Sequence, residues 1–377
     1  MLKALDIWLP AYRADRNRRI AAEQVTGRHL IIAICDHFEP YHGDDMDRAM
    51  VKLQKWNEQY PSLVRQFRGS DDVSPKHTFF YPVENYNKTV IDRLTPVCAE
   101  TGSEVEIHLH HKDDTAENLY FTLLEGKDRL RSHGFLGEDP KGEIRYGFIH
   151  GNWSLNNSHP EGKWCGVNNE LRVLNETGCY ADFTMPSAPH RAQTPIINSI
   201  YYAEGNDQPC SHFKGTHAKV GKRYSWTNNT MLCVQGPLGL NWERRKWACL
   251  PRIENGDLEK TNPPTPDRLR VWLRTAVSVQ GRPEWCFAKL HTHGARTRNM
   301  DHLLGKPFKK FLQYAIDYCD MQGIGLHFVT AREMVNMIHA AEDGQTGNPH
   351  KYRNYRYQLP PLLRKTVATA ETSAVNC

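Results

Sequence analysis

The sequence predicts an α/β fold, a parallel (β/α) barrel of seven or eight strands, on three observations. Eight short runs rich in β-branched and aromatic residues alternate with longer segments of helical period. No internal repeat or long linker interrupts that alternation over the 377 residues. Three of the runs end in Asp or His-x-His, and a barrel gathers such strand ends at one mouth.

In chain order the strand runs are 29–35 (HLIIAIC), 77–82 (HTFFYP), 104–111 (EVEIHLHH), 145–150 (RYGFIH), 179–185 (CYADFTM), 231–235 (MLCVQ), 286–292 (CFAKLHT) and 325–330 (GLHFVT). Helical patterns lie between and after them at 45–67, 86–100, 115–132, 168–177, 265–279, 305–322 and 331–341. Residues 1–28 read as an N-terminal helical extension, 29–345 as the single barrel, and 346–377 as a C-terminal tail that is patternless from about 366. Two polar insertions, 203–230 and 238–264, carry Trp226, Trp242 and Trp247 and read as long βα loops, where barrels place specificity.

Composition removes several classes. No run approaches the 18 apolar residues of a membrane span, and mean hydropathy is −0.65. The short apolar run at the N-terminus holds an Asp and a Pro and is followed by its positive charges, so it makes a poor signal peptide, and a cytoplasmic location is expected. Ten cysteines form no CxxC pair, which excludes a zinc ribbon or a thioredoxin motif; most sit in apolar runs and read as small buried hydrophobes. The excess of 48 basic over 43 acidic residues is not gathered into one stripe, which argues against nucleic acid. It lies at Arg13 to Arg19 and Lys351 to Lys365, clusters that suit solvent or an anionic, lipid-linked partner.

The chemistry-bearing residues follow from strand alternation. In 104–111, Val105, Ile107 and Leu109 face covering helices, while Glu104, Glu106, His108 and His110 face the barrel interior. Two imidazoles at i and i+2 on one strand end can hold one metal ion. His291 and His293 repeat the pattern on 286–292, followed at once by Gly294. Asp36-His37-Phe38-Glu39-Pro40 directly follows the first apolar strand, where a carboxylate suits a mouth better than a core.

The order and spacing of these motifs resemble the NodB-homology domain of carbohydrate esterase family 4, the polysaccharide deacetylases. That family has a first strand ending Thr-Phe-Asp-Asp, an Ala-Thr-Phe-Phe strand, and then Gly-His-Glu-Ile-Gly-Asn-His. Here stand Ile34-Cys35-Asp36-His37, His77-Thr78-Phe79-Phe80, and Gly102-Ser103-Glu104-Val105-Glu106-Ile107-His108. The family's late Leu-x-x-His and final Phe-Val-Thr strand are matched by Leu290-His291-Thr292-His293 and by Phe328-Val329-Thr330. The likeness covers most of residues 29–341 and implies a metal-dependent hydrolase, with zinc as the divalent ion, that removes an acetyl or formyl group from the nitrogen of an amino sugar.

By this resemblance Asp36 is the general base, His108 a metal ligand and His293 the general acid for the departing amine. His37 stands where the family has its second, metal-binding Asp; if Asp36 aligns there instead, Asp36 is the ligand and the base is missing. The family's second metal His falls on Lys112, so His110 or His111 substitutes, with strand geometry favouring His110. In place of the family's Arg-x-Pro-Tyr this chain has His150-Gly151-Asn152-Trp153, which with Asp182 and His291 makes the candidate substrate pocket. The expected partner is a carbohydrate, free or as a lipid-linked or surface-glycan precursor. Two rival readings remain: a glycoside hydrolase using Asp36 or Glu39 with Asp182, and a non-catalytic glycan-binding barrel.

Overall fold

A computed structural model describes residues 3–41, 45–222 and 230–375. The strands are β1 (His29–His37), β2 (Thr78–Pro82), β3 (Glu104–Leu109), β4 (Gly137–Glu138), β5 (Ile144–His150), β6 (Cys179–Asp182), β7 (Ile200–Glu204), β8 (Gly215–His217), β9 (Thr230–Val234), β10 (Gly239–Lys246), β11 (Leu250–Glu254), β12 (Trp285–Thr292) and β13 (Gly325–Val329). The helices are α1 (Leu5–Ala14), α2 (Arg16–Glu23), α3 (Met46–Val64), α4 (Lys88–Thr101), α5 (Ala116–Ser132), α6 (Glu170–Thr177), α7 (Pro266–Thr275), α8 (Thr297–Leu303), α9 (Lys306–Met321), α10 (Ala331–Glu342) and α11 (Pro361–Val375). No helix among the described residues is long and apolar enough to cross a membrane.

The result is a mixed α/β fold around a mostly parallel central sheet, ordered β12-β1-β2-β3-β5-β6-β9-β7-β8, with β13 also paired to β1 and β4 to β5. All eight sequence-predicted strands are present. The expected barrel closure is not made by strand pairing, because the end strands β12 and β8 do not pair with each other. Two loop segments lie between them, linked by Gln280 N–H to Ala218 O and Val220 N–H to Gln280 O, both 2.9 Å.

Three sequence expectations change. The insertion 203–230 is not only loop: β8 falls within it and pairs antiparallel with β7, which in turn runs antiparallel to β9. Residues 238–264 contain the β10–β11 hairpin, whose polar edge strands carry no period-2 apolar face to announce them. The tail carries α11 from Pro361 to Val375, consistent with a run free of Gly and Pro after its first residue. Trp226 lies outside the described residues.

Alternation sorts the core into two layers. Leu30, Ile32 and Ile34 of β1 pack outward with Val105 and Ile107 of β3 against the covering helices, through Trp56, Tyr60 and Leu94. Ile31, Ala33 and Cys35 face inward, onto Phe287 of β12 and Met334, Val335 and Ile338 of α10. Every residue of α10 is buried, and its start is fixed by a capping box between Thr330 and Glu333. Parallel register then brings the strand ends level: Cys35 lies opposite His291, and Pro82 opposite His108.

A buried ion pair ties α10 to β3. Arg332 Nη2 donates to Glu104 Oε1 at 2.8 Å, and its Nη1 donates to Tyr357 O at 2.7 Å, with both charged side chains essentially inaccessible. Removing one member of such a pair strands the other charge in the core. Arg332→Ala is therefore expected to cost about 3–5 kcal/mol in urea unfolding; a loss below 1 kcal/mol would show that the pair carries little of the fold.

Candidate metal centre

Strand alternation turns His37 inward at the end of β1, His108 inward on β3, and His291 and His293 inward on and just beyond β12. Their rings meet: centroids lie 4.8 Å apart for His37–His108 and His37–His293, and 6.2 Å for His37–His291. His110 follows, its ring 4.6 Å from that of His108. Trp153, held at φ +58 in the turn after β5, closes one side, 6.4 Å from both His37 and His293.

Glu39 joins them from the chain just past β1. Its Oε1 lies 3.2 Å from His108 Nε2 and 3.2 Å from His110 Nε2, and Arg296 approaches its Oε2 at 3.8 Å. Ligands about 2.0–2.1 Å from a tetrahedral zinc stand about 3.3 Å from one another, so the two Glu39 separations fit edges of such a site, and the ligand atoms of the three residues all lie within 4.8 Å of one another. Glu84 holds the outer nitrogen of His110 at 2.7 Å, the carboxylate support usual for a ligating histidine. Two groups that could hold an ion share Glu39, one with His108 and His110, the other with His37 and His293.

The electrostatics favour the neutral ring at His37 and His108 and the charged ring at His110, which must lose a proton before it can ligate. Burial pushes His37 well below its ordinary pKa, reinforced by His108 and His293. Burial also lowers His108, partly offset by Glu39. Burial thus favours the neutral form of both rings. Burial works against the charge on Glu39, but hydrogen bonds from His108 and His110 outweigh it and hold the carboxyl well below the usual range. For His110 burial is overcome by Glu39 and Glu84, which raise it to about 9.

Asp36, the expected general base, faces the other way. It is fully buried between β1 and the covering helices, where Oδ2 lies 2.8 Å from His77 Nε2 and Oδ1 accepts from Gly294 N–H at 2.6 Å. Alternation forces this, because His37 next to it points inward. A Cβ on Gly294 would sit 2.1 Å from Asp36 Oδ2, so glycine is required for the approach. Asp36 thus anchors the turn that carries His293.

The predicted pocket residues divide. Trp153 and His291 belong to the cluster just described. Asp182 accepts from Thr184 Oγ1 at 2.6 Å, and the same hydroxyl receives His150 N–H at 2.9 Å, so Asp182 braces a turn; burial raises it to about 7. Asn152 donates from Nδ2 to His111 O at 3.2 Å. His150 lies against His111 instead, their rings 4.6 Å apart and tilted by 38°.

Glu84, Glu259 and Arg296 were not singled out in the sequence. Glu259 Oε1 lies 3.6 Å from His293 Nδ1, and the His293 ring beside it holds its carboxyl below the usual range. Glu259 sits in the polar 238–264 insertion, which backbone bonds lay beside β12: Leu258 N–H to His291 O at 2.7 Å and His291 N–H to Gly256 O at 2.9 Å. No local signal marks it. Glu39 was visible only as a carboxylate two residues beyond His37, hence on the same face of an extended chain.

A scan against protein-family models finds no match for this chain, and a search of the curated proteins finds none either.

Proposed function

We propose that the chain is a metal-dependent hydrolase that removes an N-acyl group, acetyl or formyl, from an amino sugar, with zinc held by Glu39, His108 and His110. The observation that carries this reading is the single carboxylate oxygen, Glu39 Oε1, placed 3.2 Å from two imidazole nitrogens. Two His and one Glu make a three-ligand set of the kind that leaves a fourth position for water or substrate. When bound there, the ion supplies positive charge that polarises the acyl oxygen and acidifies water. The strand order, with loop segments bridging its two ends, also supports a barrel of the NodB type.

The chain's own groups supply the rest. His293, with Glu259 behind it, would take and return a proton, as a carboxylate-oriented histidine does. Asp36 positions it through Gly294. Trp153 offers an aromatic face for a sugar ring beside the histidines. A glycoside hydrolase would use two carboxylates flanking one bond; Asp36 and Asp182 are both spent on buried hydrogen bonds. The decisive assay is release of acetate or formate from N-acyl amino sugars by the zinc-loaded protein, against sugar-chain cleavage products.

A lipid-linked substrate is favoured by a groove of about 1050 Å³ between α1, α2 and the β10–β11 hairpin. Its walls include Arg13, Arg16, Lys246 and Arg252, and Trp242 and Trp247 stand 52% and 74% exposed at the hairpin. Cations around exposed tryptophans are what anionic lipid surfaces attract. The groove reaches Pro189, whose neighbour His190 lies 5.6 Å from Trp153. The protein is expected to cosediment with phosphatidylglycerol vesicles and not with phosphatidylcholine ones. Lys246→Gln is expected to weaken that binding about fivefold, ~1 kcal/mol for one cation at the surface. Equal binding to both vesicles, or to neither, removes the lipid-linked reading and leaves the deacylase reading standing.

A further inference from the structure

The residue after His110 belongs to a different cluster. We infer that His111, His150, Cys165 and Glu170 form a second, closed metal site, a structural zinc site separate from the proposed catalytic one. Their ligand atoms all lie within 4.8 Å of one another, and all four side chains are buried. His111 Nε2 is 3.0 Å from Glu170 Oε1, Cys165 Sγ is 3.4 Å from Glu170 Oε2, and His150 Nε2 is 3.9 Å from Glu170 Oε1. Those spacings bracket the edge of a tetrahedron around zinc, roughly 3.3–3.5 Å for mixed N, O and S ligands.

The surroundings support ligation. Asp114 Oδ2 lies 3.2 Å behind His111 Nδ1, the arrangement that turns the other ring nitrogen toward a metal. Glu170, in the first turn of α6, is fixed by Asn156 N–H at 2.5 Å, and Cys165 Sγ receives Val167 N–H at 3.4 Å. Most telling is His150: its Nε2 is buried, points at Glu170, and has no hydrogen-bond partner. A buried polar atom left unpaired is costly, and an ion in the middle of the four groups would satisfy it. Ligation puts the His150 ring proton on Nδ1, so the 3.2 Å bond from Asn152 N–H opens as the ion enters, and His111 Nε2 and Cys165 Sγ release the protons they share with Glu170.

A thiolate with two imidazoles selects zinc over magnesium or calcium. Four protein ligands leave no open position, so the site is structural. Its place gives it a purpose. It clamps the end of β3 and the residues just past it, which carry His108 and His110, to the His150–Trp153 turn and to the start of α6. The second ion would thus hold both the first ion's ligands and the aromatic wall in place. This inference stands on its own residues and does not require the deacylase reading.

Cobalt substitution of the full chain tests it, because sulfur ligation gives a near-ultraviolet thiolate-to-cobalt band and the first site has no sulfur. The wild-type protein should show that band and bind two equivalents of metal. Cys165→Ser should lose the band and one equivalent, whereas His108→Ala should lose one equivalent and keep the band. A fully loaded wild type without the band overturns the inference even if Cys165→Ser fails to fold, and so does a Cys165→Ser protein that retains it. Absence of the band together with metal loss in His108→Ala would sink this site and leave the catalytic one intact; the reverse pattern would do the opposite.

Discussion

His108→Ala is expected to remove the catalytic ion and lower kcat/KM on an N-acetyl amino sugar by about 10³-fold or more. His108 Nε2 and His110 Nε2 flank the same Glu39 oxygen, so deleting one leaves a carboxylate and a single imidazole, too few to hold zinc tightly. Charge stabilisation by such an ion is worth several kcal/mol, and each 1.36 kcal/mol is about tenfold in rate. The loss should appear in elemental analysis as one equivalent fewer per chain. Glu39→Gln should behave alike, since a neutral amide keeps the shape but not the charge. An unchanged metal ratio in both variants would sink the assignment of Glu39, His108 and His110 as the ligand set.

The second large effect separates proton transfer from positioning. His293→Ala should lower kcat by roughly 10²–10⁴-fold, the usual contribution of a general acid or base, while the metal content stays at the wild-type value. Asp36→Asn should keep its metal and lose less than tenfold in kcat, because an amide oxygen can still accept from Gly294 N–H. If Asp36→Asn instead loses as much as His293→Ala, the outward carboxylate takes part in the chemistry and the positioning role is wrong. His291→Ala provides the control on strand register. Its ring lies deeper, 6.2 Å from His37, and burial holds it well below its ordinary pKa, so a smaller loss than for His293→Ala is expected. A larger one would move the proton-transfer role to His291.

What could be read from the chain alone was what depends on neighbours in sequence. Alternation in 104–111 assigned Val105, Ile107 and Leu109 to the helix side and Glu104, Glu106 and His108 to the interior, and the packing agrees. The helical period found α3, α4, α5, α6, α7, α9 and α10 within a few residues, because an amphipathic stripe is a local property. The same rule, applied one residue further back, would have turned Asp36 outward. Its expected place at the mouth rests instead on its position at the strand end and on the family likeness. The polar hairpin β10–β11 and the edge strand β8 gave no such signal, since edge strands need not alternate, and β7, paired on both sides, is a five-residue run buried on both faces over its first four residues and so has no alternation either.

Only the tertiary structure decided which polar groups meet. Glu84 and Glu259 reach the histidines and Arg296 reaches Glu39 from three separate segments, and nothing in their local pattern distinguishes them from solvated charges. His150 was placed by its motif in the substrate pocket; packing hands it to His111 and Glu170, 3.9 Å from the carboxylate. Cys165 read as one more buried hydrophobe until Glu170 stood 3.4 Å away. Strand and helix periods arise from backbone geometry repeated every two or 3.6 residues, so sequence carries them directly. The meeting of side chains 60 or 250 positions apart depends on sheet order and register, which no local period encodes.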